Sequence, residues 1–405
     1  MNIFRSSFTG SVHHRFSGVL RCAISLFAVV FTTGLSGCSN ETEVHPKQEA
    51  VFVDVPLSYA KGFSLYDHEG FKTLRVIVDL DGRQDTLRYL LIPKESPLPD
   101  GFDEHVVIRT PVERVALFST TQVGYIDLLG CADRIIGIAR PDYVNTPSLR
   151  ERIEKGAVSE IGMPFSPNVE EILELNPEMI VTTALPAARQ TDYKALVMAG
   201  IPVVVVAEWL EESPLGRAEW LKLYAALLGR EEVAVEKFAD IEHSYHALKA
   251  LTDTLSHRPS VVTGMPFKDA WFVPGGNSYV ACFLRDAGAD YHWKNRAKTG
   301  SIKMDIEAVY PVALEAEFWL NPGTVQSLDE LLAKDIRFRD FFAVRSGKVY
   351  NNNRLLNPAG GNAYWELGAV RPDRVLEDLI RILHPDLFPE RGNGDDSLTF
   401  YRHIQ

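Results

Sequence analysis

The stretch Val169-Glu170-Glu171-Ile172-Leu173-Glu174-Leu175-Asn176-Pro177-Glu178-Met179-Ile180-Val181-Thr182-Thr183 decides the fold class. Its first half has helical spacing and acidic residues at the positive end of the helix dipole. Pro177 cannot continue a helix and closes it. A short apolar run, 179–181, then reads as a buried strand ending in two threonines. Outward from this unit the alternation repeats. Residues 115–118 form a short apolar strand, and Ser119, Thr120 and Thr121 can cap a helix running to Leu129, ended by Gly130. Residues 135–138 read as another buried strand and 191–199 as a helix before Gly200. Four valines, 203–206, suit a strand buried on both faces. Strands alternating with helices predict a parallel, doubly wound sheet.

Ser213-Pro214 opens a long helical stretch. Trp220, Leu223, Tyr224, Leu227 and Leu228 share one face; Gly229 interrupts; Phe238, Ile241, Tyr245, Leu248 and Leu251 resume. With no loop-like breaker from Arg230 to Ser256, residues 213–256 read as a helix bridging two lobes. The α/β rhythm then returns with strands at 260–263, 317–320 and 348–350, and helices at 278–286, 306–309 and 328–332. A last helix falls within 367–383. Before all this, residues 51–110 alternate: Leu74, Val76, Val78 and Leu80, then Leu87, Tyr89 and Leu91. Asp81-Gly82 between them signals a hairpin, so this region reads as a small β preface.

At 405 residues the chain suggests two or three domains. Hydrophobic residues make up 46% and charged residues 24%, which excludes a disordered or collagen-like chain. The net charge of −12 lacks the basic footprint that nucleic-acid binding requires. The first acid is Glu41; Arg5, Arg15 and Arg21 precede a short apolar run, 22–31, and then Leu35-Ser36-Gly37-Cys38. This is signal-peptide layout, and its end resembles a bacterial lipobox with Cys38 as the lipidated residue. Removing 1–37 takes three arginines from the net charge, leaving −15. Residues 38–50 read as a polar tether. Cys131 and Cys282 are expected as buried free thiols.

Five blocks in order carry a family resemblance. They are Pro111-Val112-Glu113-Arg114-Val115 with Leu128-Leu129-Gly130-Cys131-Ala132-Asp133-Arg134-Ile135-Ile136-Gly137-Ile138; Asn168 to Val181; Asp286-Ala287-Gly288-Ala289; Glu307-Ala308-Val309; and Trp365-Glu366 with His384-Pro385-Asp386-Leu387-Phe388. Together they resemble substrate-binding proteins of iron-complex and vitamin B12 ABC importers, in a lipoprotein subgroup of Bacteroidetes-type bacteria. The resemblance spans roughly 111–390. It implies an α/β fold: two Rossmann-like lobes joined by a single long α-helix, behind the β preface. The expected organisation is signal peptide 1–37, tether 38–50, preface 51–110, lobe 111–212, helix 213–256, lobe 257–390 and tail 391–405.

The resemblance also implies a function. The protein would capture a metal chelate in the interlobe cleft and deliver it to an inner-membrane permease dimer driven by a cytoplasmic ATPase. No bond is made or broken and no resident cofactor is needed. A ferric siderophore leads; haem or cobalamin is the alternative ligand, and a metallochaperone or chelatase-like enzyme the alternative class. Lipid would hold the protein at the periplasmic face. Glu170 and Glu307, one on each lobe, match the family's permease-docking glutamates; taken singly, each is also a helix-start acid. Ligand contacts are expected on loops after the strands: Thr120, Thr183, Trp209, Phe267, Lys268, Trp271, Asn277, Tyr364 and Trp365. The aromatics offer flat faces to a large chelate, and Lys268 a charge for an anionic one. Gly275-Gly276-Asn277-Ser278 caps a helix and weakly suggests a phosphate cradle. His243 and His246 are three apart on the bridging helix, His292 could ligate haem, and His384 lies in a terminal turn. None supplies the ligand set a metal site requires. Gly-x-Ser-x-Gly is absent from the mature chain, as are phosphate-loop and dinucleotide fingerprints.

Overall fold

Alternating side chains build the first element of the computed structural model, which describes residues 53–80, 82–102, 105–184, 190–389 and 397–405. The signal peptide, Cys38 and the tether lie outside these residues. Among the described residues no helix is long and apolar enough to cross a membrane. The N-terminal sheet runs in chain order: Val53–Asp54, Phe63–His68, Phe71–Leu80, Arg83–Pro93 and Val106–Thr110. Leu80 pairs with Arg83 across the expected hairpin, where Gly82 takes φ 79°, a left-handed value that favours glycine. Leu74, Val76, Val78, Tyr89 and Leu91 point inward. They join one hydrophobic cluster with Val115, Leu117 and Val204 of the first lobe. The preface therefore shares a core with the lobe behind it.

The first lobe's sheet is wholly parallel, in the order Val203–Val206, Met179–Thr183, Val115–Leu117, Ile135–Ile138, Ser159–Glu160. Helix Thr120–Leu128 starts from a capping box. The Ser119 side chain accepts from Thr121 N–H, and Gln122 Oε1 accepts from Ser119 N–H at 3.2 Å. Helix Val169–Leu175 ends at Asn176, which is left-handed at φ 46°. The valine strand differs from expectation. It is an edge strand with alternating burial. The N-terminal sheet covers that edge, and Tyr89 Oη accepts from Val205 N–H at 2.9 Å. A valine run reports a well-packed strand, not which neighbour packs it.

The bridging stretch is three helices: Pro214–Glu219, Leu221–Leu228 and Glu231–Ala250. Trp220 separates the first two, and Gly229, at φ 65°, the last two. The long helix stops at Ala250, short of the expected 256. The second lobe's sheet runs Asp290–Tyr291, Ser260–Thr263, Phe318–Leu320, Val349–Asn351, Arg402–His403. The last strand is antiparallel. Residues 397–405, expected as a tail, thus belong to the lobe. The Asp378 carboxylate accepts from the backbone N–H groups of Thr399, Phe400 and Tyr401. A smaller antiparallel sheet holds Pro266–Phe267, Ala270–Pro274 and Ser301–Asp305. Cys131 and Cys282 are free and buried.

Replacing Tyr89 with Phe leaves Val205 N–H without its acceptor. We expect a loss of about 1 kcal/mol with an unchanged urea m-value, read by chemical denaturation.

Candidate functional site

Every parallel strand in the two lobes hands the chain to a loop at its C-terminal end, where open α/β sheets take ligands. In the first lobe these loops include those beginning at Phe118, Ala184 and Ala207; in the second they include those beginning at Gly264, Asn321 and Asn352. A cavity of about 810 Å³ opens beside the loop after Val206. One wall is Ala207, Trp209, Leu210, Glu211 and Glu212. A second is Lys298, Thr299, Gly300 and Ser301. The third comes from the N-terminal sheet: Lys61, Gly62, Ile77, Asp79, Leu80, Gly82 and Gln84.

Two buried carboxylates fix the geometry around it. Glu211 accepts from the backbone N–H groups of Lys61 and Gly62 and from Trp220 Nε1, at 2.8 to 3.1 Å. Glu219 accepts from the N–H groups of Ser58, Tyr59 and Ala60 and from Lys222 Nζ, at 2.7 to 2.9 Å. Burial pushes the Glu211 carboxyl up from its ordinary value, against the pull of those donors. Next to Trp209, Glu208 is buried with Arg217 3.7 Å away. Burial raises Glu208 too, and Arg217 opposes the rise. Arg217 also lies over the Tyr279 ring at 4.8 Å, so the pair sits where the two lobes meet.

A fourth buried carboxylate ties the lobes on another side. Glu366, in helix Ala363–Leu367, is fully buried. It accepts from the N–H groups of Asn145 and Thr146 and from Thr146 Oγ1. Nearby, Thr121 Oγ1 donates to the Trp365 carbonyl at 2.9 Å. Gly124 permits the approach, because a Cβ there would stand 2.0 Å from the Glu366 carbonyl oxygen.

A family model described as periplasmic binding protein matches residues 115–353, more than half of the chain. The chain belongs to this family. Its two-lobe α/β architecture with parallel sheets is the one the sequence implied. The uncharacterized lipoprotein MJ0878 of Methanocaldococcus jannaschii is 27% identical over 404 residues, covering 91% of this chain and 94% of that protein. The uncharacterized lipoprotein MJ0872 of the same organism is 26% identical, covering 91% of this chain and 90% of that protein. Among solved structures, a possible iron-binding (periplasmic solute-binding) protein from Staphylococcus epidermidis matches with TM-score 0.54 and 17% identity. It covers 68% of this chain and 100% of its own. The periplasmic heme-binding protein RhuT from Roseiflexus sp. RS-1 matches with TM-score 0.52 and 18% identity, over 68% of this chain and 99% of its own. Both share the fold. The family match begins at Val115, after the N-terminal sheet.

Within this periplasmic binding protein, Trp209 is the one of the nine expected contacts that lines the cavity; its indole N–H donates to the Ala184 carbonyl at 3.0 Å. Thr120 and Thr183 sit half-buried at first-lobe strand ends, and Thr183 Oγ1 accepts from Gln122. Trp365, within helix Ala363–Leu367, is 47% exposed. Phe267 and Lys268 are exposed at a hairpin tip, with Lys268 Nζ 5.4 Å from the Phe267 ring centre. Asn277 is exposed, and its N–H donates to the Lys298 carbonyl. Two expectations are corrected. Trp271 is fully buried between Trp319 and Phe341, with its N–H on the Thr263 carbonyl. It lies on the inward face of strand Ala270–Pro274, where a loop was expected. Tyr364 is buried against Phe400 and Tyr401 of the folded-back terminus.

The glycine cradle is also corrected. The amides of Gly275, Gly276 and Asn277 donate to the carbonyls of Gly300, Arg296 and Lys298, leaving none for a phosphate. His246 bonds Tyr59 Oη at 2.9 Å. His292 is exposed, and His384 lies 3.3 Å from the Gly288 carbonyl. Glu170 and Glu307 are exposed in the first turns of helices Val169–Leu175 and Ile306–Glu315, one per lobe. Sequence reasoning passed over the N-terminal wall and Lys298–Ser301. Their residues are ordinary hairpin and loop types, and no local signal marked them.

Replacing Glu366 with Ala strands buried donors on Asn145 and Thr146. We expect a loss of about 3 kcal/mol in urea denaturation, and a smaller loss for Glu366→Gln, which keeps one acceptor.

Proposed function

We propose that this periplasmic binding protein is the lipid-anchored receptor of an ABC importer, capturing a metal chelate between its lobes and passing it to an inner-membrane permease. The observation that carries this is the cavity of about 810 Å³, which sets the first-lobe strand-end loop after Val206 against residues 298–301 of the second lobe. Its size falls within the range of pockets that bury small organic ligands, roughly 300–1,000 Å³. Trp209 supplies an aromatic face for a planar or greasy group. Capture asks for no bond making, so transport energy comes from the partner ATPase. Cys38 carries the lipid and residues 38–50 the tether, which fits the naming of two long relatives as lipoproteins. Glu170 and Glu307 present one exposed carboxylate per lobe to permease arginines. Such rim charges serve orientation and association rate more than affinity.

The test is titration of the purified protein with a ferric hydroxamate, haemin and cyanocobalamin, followed by absorbance and native mass spectrometry. One-to-one binding of one of them is expected, with no chemical change in the chelate. Turnover of the chelate without a permease would overturn the receptor reading. The double variant Glu170→Ala, Glu307→Ala should keep ligand affinity and lose at least about tenfold in cellular uptake. Lost ligand binding would refute the docking roles.

A further inference from the structure

Resting on that receptor reading, we propose that the N-terminal sheet is a third wall of the ligand site, and that it selects a neutral or cationic, amide- or hydroxyl-bearing chelate over a polyanionic one. The sheet precedes the family's matched region, so the two lobes by themselves do not account for it. Yet the cavity is closed on one side by Ile77, Leu80 and Gln84, facing Trp209 and the Lys298–Ser301 loop.

All three walls are preformed. The strand entrance at Lys61 and Gly62 is pinned by Glu211, and the preceding Ser58, Tyr59 and Ala60 by Glu219. Gly62 is required there: a Cβ would stand 2.8 Å from the Trp220 ring and 3.0 Å from Glu211 Oε1. The opposite loop is braced by the Gly275, Gly276 and Asn277 amides on its carbonyls. Trp209 is held by its bond to Ala184. A wall that does not rearrange spends little ordering entropy on binding and discriminates by shape and charge.

The charge pattern supplies the selection. Among the described residues the lining holds three carboxylates, Asp79, Glu211 and Glu212, and two lysines, Lys61 and Lys298. Glu211 is committed to backbone and indole donors, and Lys61 is paired with Glu212 at 2.5 Å. Among the described residues that leaves Lys298 and Asp79, with no surplus of positive charge for several ligand anions. The other polar groups are uncharged: Gln84, Thr299 and Ser301 can donate to and accept from amides and hydroxyls. Ile77, Leu80 and Trp209 take the apolar side of such a ligand.

The experiment uses the full chain and four probes, by calorimetry and tryptophan quenching. The probes are the cationic ferric hydroxamate ferrioxamine B, neutral cyanocobalamin, and the polyanions haemin and a ferric tris-catecholate. A preference of at least about tenfold for one of the first two is expected. The double variant Ile77→Ala, Gln84→Ala, with both positions outside the buried core, should weaken that probe about tenfold while keeping the thermal midpoint. Asp79→Lys should narrow the preference toward the polyanions. Unchanged affinity in the double variant, or a wild-type preference for a polyanion, overturns the third wall while leaving the receptor reading intact. Binding of none of the four overturns the receptor reading itself, and this inference with it.

Discussion

Two carboxylates buried at the head of the helical bridge, Glu211 and Glu219, organise this molecule. A buried carboxylate without donors is prohibitively costly, so each must be surrounded by them. The donors here are mostly backbone: five consecutive amides, Ser58 to Gly62, turn toward the pair. Trp220 and Lys222 complete the sets from the bridge itself. A strap of chain from the N-terminal sheet is thereby clamped to the point where the first lobe becomes the bridge. Only glycine at position 62 lets the strap come that close to Trp220.

From this clamp the rest of the architecture follows. The N-terminal sheet lies flat on the first lobe, shares its core and covers the edge strand Val203–Val206. An uncovered edge strand is a pairing hazard, and here the sheet removes it. The second half of the chain is tied back by Glu366 on Asn145 and Thr146, and by Thr121 on Trp365. Glu208 and Arg217 form one more buried contact where Tyr279 of the second lobe meets the bridge. Buried charges thus recur at the seams between parts, where an apolar contact would hold without specifying position. The cavity sits at such a seam, and its walls inherit that fixed geometry.

How much of this was legible depended on range. Strands 135–138 and 260–263, and helix 169–175, were read with their observed bounds, because apolar period and punctuating residues are local signals. The Asp81-Gly82 hairpin was legible for the same reason. Trp271 and Tyr364 were read as cleft aromatics and lie in the core. A tryptophan beside a turn looks alike in sequence whether its strand faces inward or the loop faces a ligand. The last nine residues looked like a tail because a two-residue edge strand, Arg402–His403, has no period to detect. Of the candidate site, Trp209 was legible as a residue after a strand, whereas Gln84 and Ile77 were not.

Local chemistry alone determined the kinds of elements, their order and the alternation that makes two parallel sheets. Those properties depend on residues a few positions apart, where side-chain period and turn preference act directly on the backbone. The roles of Glu211, Glu219 and Glu366 were decided by tertiary structure only. Their backbone amide partners lie 149 to 221 positions away, and nothing in a glutamate's neighbourhood distinguishes one that will be buried on distant amides from one left in water. The third wall of the cavity is of the same kind. It exists because folding brings a hairpin, a strand-end loop and a glycine-braced loop to one place, and no single segment carries the pattern of the whole.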